Sequence, residues 1–319
     1  MSALPRFHKH GYGASIAPMQ KFALSPRRSL AGLLREALFL IKVARPGFWI
    51  TSAWFFLLPL GGGEAWRLPG FWLGLFYVGF PMGLLIYGWN DIVDAETDRL
   101  NPRKDTFLFG ARPDAVQLTR LPWCIAAVQV PFAVAFTWLL GAKALAWLAA
   151  LVAATAVYNW PRYGAKARPG FDVLNQCCYV LVFVLASWLC GRAQAPWFTF
   201  VFGALFAMHS HLFGEIMDHE PDRATGRRTT AVAIGVVRAK LLLAALLVAE
   251  ALLAQCVAGE KFAALALAGG AVWFVADAAV LWRARPYATW QMRFAFLAWN
   301  IVAACSVPWM WHAARFAAR

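Results

Sequence analysis

Nine apolar runs, each close to the length of a membrane crossing, constrain this chain more than any other feature. They lie near residues 44–62, 71–91, 121–140, 143–160, 173–190, 196–217, 236–257, 262–282 and 290–312. A helix needs about 20 mostly apolar residues to cross the hydrocarbon core. Inside a bilayer only helices and closed barrels satisfy every backbone group. These runs are apolar all round rather than alternating, so they predict helices. Only 14% of the 319 residues are charged and 61% are apolar, where soluble chains carry roughly a quarter charged residues. A soluble globule is excluded. The predicted fold is an all-α polytopic membrane protein, a bundle of nine transmembrane helices.

A formal net charge of +14 raises the question of nucleic acid, and the placement of the charges answers it. Of the 30 Lys and Arg residues, 24 fall in the N-terminal segment and in the loops near 92–120, 161–172, 218–240 and 283–293. The intervening loops hold Arg67, Lys143, Arg192 and Lys261, and Arg315 and Arg319 follow the last run. This is the positive-inside bias of membrane proteins, and no nucleic-acid partner is expected. It places the N-terminus in the cytoplasm and the C-terminus on the outer side, in a bacterial inner membrane or an organelle membrane. Residues 1–37 read as a basic, flexible cytoplasmic segment, with no apolar core and cleavage site of a secretory signal. Residues 38–319 form the membrane domain. The six cysteines lie in or beside apolar runs without metal-ligand spacing, and read as packing residues.

Ten of the 16 acidic residues fall within 91–114 or 215–222. On a continuous helix, Asp91, Asp94 and Asp98 share one face at i, i+3 and i+7, and Glu215, Asp218 and Asp222 repeat that spacing. Ionisable groups at membrane spans are costly and usually functional. Stacked carboxylates call for a cation, and magnesium takes one or two of them and completes its shell with water and phosphate oxygens. Cations follow closely in Asn101-Pro102-Arg103-Lys104, in Tyr158–Gly170 and in Arg223, Arg227 and Arg228. Guanidinium groups fork onto free phosphate oxygens. A diphosphate at the mouth of an apolar bundle suggests a lipid diphosphate, whose ionisation metal and cations would assist.

Three ordered motifs then resemble a family. Asn90-Asp91-x-x-Asp94-x-x-x-Asp98, Tyr158-x-x-x-Arg162 and Asp218-x-x-x-Asp222 are similar to the signatures of the UbiA superfamily of intramembrane prenyltransferases, over roughly residues 38–312. The resemblance implies two Mg2+ ions held by Asp91, Asp94, Asp98, Asp218 and Asp222. Asn90, Asp91 and Tyr158 would be catalytic. Arg45, Lys104, Arg162, Lys166 and Arg228 would bind diphosphate. It also implies transfer of a prenyl group from an isoprenyl diphosphate to a lipophilic acceptor within membrane lipid. The run Asp98–Lys104 looks most like carotenoid-prenylating, lycopene elongase-type members, with an aromatic quinone precursor or a chlorin as the alternative acceptor. A terpene cyclase on the same fold would use the same metal site.

A cation-coupled transporter is the rival from another class. Its acids would sit at broken helices near the midplane, whereas these sit at span ends beside cations. Cytoplasmic loops 92–120 and 218–240 are expected to cap the site. His209 and His211, at i and i+2, point to different helix faces and read as cleft or core polar residues. Glu250 is expected to hydrogen-bond a neighbouring helix, and Asp277 to pair with Arg283 or Arg285.

Overall fold

The computed structural model describes residues 30–161 and 163–318. Among these residues the regular elements are helical, apart from one isolated antiparallel bridge between Thr106 and Gly110. In chain order they are α1 (Leu30–Val43), α2 (Pro46–Leu60), α3 (Pro69–Val93), α4 (Ala95–Leu100), α5 (Ala115–Leu140), α6 (Ala142–Asn159) and α7 (Phe171–Leu189). There follow α8 (Trp197–Met217), α9 (His219–Ala224), α10 (Thr230–Ile234), α11 (Val236–Ala258), α12 (Lys261–Ala279) and α13 (Thr289–Ala313). Eight of them (α3, α5, α6, α7, α8, α11, α12 and α13) are long and apolar enough to cross a membrane. The run at 44–62 forms α2, which is apolar but shorter. Pro46 starts it, and Pro59 in its last turn and three glycines from Gly61 end it. Residues 30–37, expected as flexible chain, belong to α1. Leu30, Leu33, Leu34 and Leu38 repeat at helical spacing along it and stay exposed.

Packing follows from small residues and from polar clips within the apolar bundle. α3 lies between α2 and α5, α13 packs on α2, and α8 packs on α11, which forms a tight hairpin with α12. Gly83 lets α3 approach the end of α1, since a Cβ there would sit 2.7 Å from the Ala44 carbonyl oxygen. The Gln129 side chain of α5 donates to the Pro81 carbonyl at 2.7 Å and accepts from the Tyr77 hydroxyl at 2.9 Å. That clip joins α5 to α3 at the proline within its span.

Two acids differ in partner from expectation or gain a definite one. Asp277 is fully buried and pairs with Lys240 at 2.9 Å, rather than with Arg283 or Arg285. The chain turns after α12 so that the Arg283 side chain folds back onto the Ala279 carbonyl, while its own carbonyl receives Lys240. Tyr287 also donates to Asp277. Removing one member of a buried ion pair leaves the other charge uncompensated, at a cost of about 3–5 kcal/mol. Asp277→Ala should therefore unfold at a clearly lower temperature in detergent; an unchanged melting temperature would contradict this role. Glu250 meets His209 of α8, Oε2 to Nδ1 at 2.7 Å.

Candidate active site

α3 and α8 end in the same backbone device. α3 stops at Val93, Asp94 takes φ −96° and ψ 8°, and α4 restarts. α8 stops at Met217, Asp218 takes φ −95° and ψ 5°, and α9 restarts. The acids thus do not lie along unbroken helices, although the turns remain bonded, Asp94 N–H to the Asn90 carbonyl and Asp98 N–H to the Asp94 carbonyl, both at 2.8 Å. The two breaks match in backbone geometry, and α4 packs against α9.

Both breaks open onto one cavity of about 580 Å³. Its mouth is lined by Asn90, Asp94, Asp98, Asp218 and Asp222, with Arg45, Lys104, Lys166 and Tyr158 also on its wall. Its inner wall is apolar and aromatic, including Phe55, Phe206, Trp273, Phe294 and Trp299. Asp91 is not on that wall. It is fully buried behind it, gripped by Arg45 Nη2 at 2.8 Å and Lys104 Nζ at 2.7 Å. Arg162 lies outside the described residues.

Arg228 is exposed and away from the cavity, and its neighbour Arg227 occupies the wall instead. The cause is local. Gly226, at φ 73°, turns the chain after α9, and the Arg227 N–H bonds the Asp222 carbonyl at 2.9 Å. Arg227 Nη2 then reaches Asp94 at 2.5 Å, and Nη1 lies 3.5 Å from Asp222. Arg103, also buried, binds Asp218, with Nε on Oδ1 at 2.9 Å, and Asn101 donates to the same oxygen at 2.8 Å. The loop after the first motif therefore holds the second. Glu215 also lines the cavity but is engaged elsewhere: Oε2 accepts the Ala231 N–H at 3.0 Å, and Oε1 lies 3.1 Å from His211. Asp172, which sequence reasoning passed over, accepts the Thr230 N–H at 2.6 Å and so fixes the start of α10. Tyr158 touches His211 at 3.4 Å.

Arg45 is held in a left-handed conformation, φ 50°, between α1 and α2, with its guanidinium 4.5 Å from the Tyr87 ring centroid. Gly110, at φ 102°, lies against it: a Cβ there would be 2.7 Å from Arg45 Nε. A non-glycine residue at positive φ is costly, and here it coincides with a charged group at the mouth.

Five carboxylates (Asp91, Asp94, Asp98, Asp218, Asp222) meet five cations (Arg45, Arg103, Lys104, Lys166, Arg227). Burial raises the Asp94 carboxyl, but Arg227 and Lys166 outweigh it and hold it below its ordinary value. Burial pushes Asp222 up to about 7, with only partial relief from Arg227 and with repulsion from Asp218 and Asp94. Burial likewise raises Asp98, against the pull of Lys104. Burial lowers Lys166 despite Asp94. The mouth is a set of buried charges in partial conflict.

The donors fit magnesium in one particular way. They are hard oxygens, and the carboxylates of Asp94, Asp98, Asp218 and Asp222 line one cavity. Among the described residues no three His, Cys, Asp or Glu groups converge as an all-protein metal cage. Magnesium characteristically uses one or two carboxylates and takes its remaining ligands from water and phosphate. Carboxylates at the two breaks would hold such an ion, and the cations they release would then be free for phosphate oxygens.

The sequence profile of the UbiA prenyltransferase family matches residues 48–301. A lycopene elongase/hydratase of Halobacterium salinarum is 32% identical over 206 residues, covering 63% of this chain and 73% of its own. A lycopene elongase/hydratase of Haloferax volcanii is 30% identical over 212 residues, 65% of this chain and 69% of its own. The solved structure of a UbiA homologue from Archaeoglobus fulgidus bound to DMAPP and Mg2+ has a TM-score of 0.58 at 19% identity, covering 88% of this chain and 97% of its own. That identity speaks for the fold. The chain belongs to the UbiA prenyltransferase family.

Proposed function

We propose that this membrane prenyltransferase moves a prenyl group from an isoprenyl diphosphate to a lycopene-type carotenoid, with two magnesium ions at the cavity mouth. The observation that carries this is the balanced set of five acids and five cations at the polar end of an aromatic cavity. The carotenoid is supported by the two relatives named for lycopene. Asn90, Asp94, Asp98, Asp218 and Asp222 hold metal. Arg45, Lys104, Lys166 and Arg227 take the diphosphate, with Arg162 a further candidate by its motif. Asp91, a metal ligand by the motif, here orients Arg45 and Lys104. Bound magnesium supplies positive charge to the departing diphosphate. The aromatic wall excludes water and its ring faces favour the allylic cation. In this reading α2 completes a nine-span topology. The N-terminus and the mouth are cytoplasmic, as the Lys and Arg distribution supports, and the loops 92–120 and 218–240 cap the site.

Purified protein incubated with lycopene and dimethylallyl diphosphate tests this. Carotenoid gaining five-carbon units only when magnesium is present is the expected result. Prenylation of hydroxybenzoate with lycopene untouched would overturn the acceptor. Gly110→Ala should displace Arg45 and weaken diphosphate binding about tenfold, one charge-assisted hydrogen bond's worth, with a smaller change in turnover. Equal KM in variant and wild type would contradict that placement.

A further inference from the structure

Below the mouth, the cavity wall carries a polar dyad that diphosphate binding does not use. His209 lies nine residues before Asp218, roughly 13 Å deeper along α8 at 1.5 Å per residue. It is 3% exposed and lines the cavity. Its Nδ1 lies 2.7 Å from Glu250 Oε2, and Glu250 is fully buried. Its Nε2 is buried without a hydrogen-bond partner. The ring is flanked by Phe206 and Trp299, at centroid distances of 4.9 and 5.5 Å. A tether between α8 and α11 would need only the Nδ1 bond. Burying an unpaired imidazole nitrogen beside a substrate cavity costs free energy, and buried ionisable groups within the membrane are typically functional.

We propose that His209, positioned by Glu250, accepts the proton that ends the reaction. The inference rests on the prenyl-transfer reading above. Diphosphate departs with the C1–O electron pair and leaves an allylic cation. The π electrons of an acceptor C=C then bond reversibly to the prenyl C1, and the positive charge moves to a tertiary acceptor carbon. The product becomes neutral only when one proton leaves. That proton comes from a neighbouring C–H, whose electrons become the new C=C, or from a water whose oxygen bonds to the cation. In either case it goes to Nε2. Glu250 Oε2, accepting from Nδ1–H, holds that tautomer and leaves the lone pair on Nε2, and it then stabilises the imidazolium. The flanking rings favour the cation until it is quenched. The proton returns to solvent through the polar mouth.

The test measures prenylated lycopene and released diphosphate together, with magnesium, for wild type, His209→Ala, His209→Gln and Glu250→Gln. Both His209 variants should form at least about 100-fold less product, the lower range for general acid–base catalysis. Diphosphate release should continue, giving a free prenyl alcohol. Imidazole should partly restore His209→Ala. Glu250→Gln should fall between. His209→Gln removes the imidazole but keeps a polar side chain of similar size, so a folded but uncoupled Gln variant separates proton transfer from packing. A wild-type ratio of product to diphosphate in the His209 variants would overturn the proposal. Wild-type protein that prenylates no lycopene would refute the carotenoid reading and this proposal together, a distinguishable result.

Discussion

Asp94→Ala should lower prenyl transfer by about 10²–10³-fold or more, the loss that follows removal of one group stabilising developing charge at an active site. Asp94 is the residue on which both halves of the site converge. Lys166 from the loop after α6 and Arg227 from the loop after α9 each reach its Oδ1 at 2.5 Å. Without it, the proposed metal site would lose a ligand, and Lys166 and Arg227 lose the group that spaces them. The bundle itself does not depend on it, because the Asp94 backbone keeps its N–H bond to Asn90 whatever the side chain. Gel filtration should therefore stay near wild type, while the melting temperature should fall, because Lys166 and Arg227 lose their carboxylate partner. Asp105→Asn is the matched control: it removes the charge of an exposed pair with Lys42, which contributes little, keeps a residue tolerated at φ 67°, and should leave turnover unchanged.

Arg227→Ala should separate the two halves of the charge exchange. Arg227 pairs with Asp94 and Asp222, so in the proposed site it would compete with metal for them when no diphosphate is bound. Its removal should tighten magnesium binding in the absence of diphosphate, because those carboxylates lose a competitor. The same change removes a charge-assisted donor, worth about 1.5–3 kcal/mol, so diphosphate should bind roughly 10- to 100-fold more weakly. Calorimetric titration of each ligand checks both signs. Weaker binding of both ligands would mean that Arg227 organises the carboxylates rather than competing for them. Arg228→Ala should change neither, since that side chain points to solvent.

The crossings were legible because length and all-round hydrophobicity are set by the bilayer, not by partners. The run at 44–62 reads as a span by composition, yet Pro46, Pro59 and the glycines confine its helix to Pro46–Leu60. The acidic residues of the mouth were legible from spacing and charge. Their orientations were not. Asp91 and Asp94 are three residues apart, but the break at Asp94 sends one to Arg45 and leaves the other on the cavity. Arg227 and Arg228 are indistinguishable in sequence, and only the turn at Gly226 selects between them. Asp172, Asp277 and Glu250 lie among apolar residues, and their partners Thr230, Lys240 and His209 are distant in the chain. Such pairs follow from packing, which spacing does not encode.

The most direct measurement is calorimetric binding of dimethylallyl diphosphate to purified protein, with and without magnesium, in wild type and Asp94→Ala. The site described here predicts binding that requires magnesium in the wild type and is lost in the variant. Binding of equal strength without metal, or undiminished in Asp94→Ala, would contradict a magnesium-bound diphosphate at the mouth of this cavity.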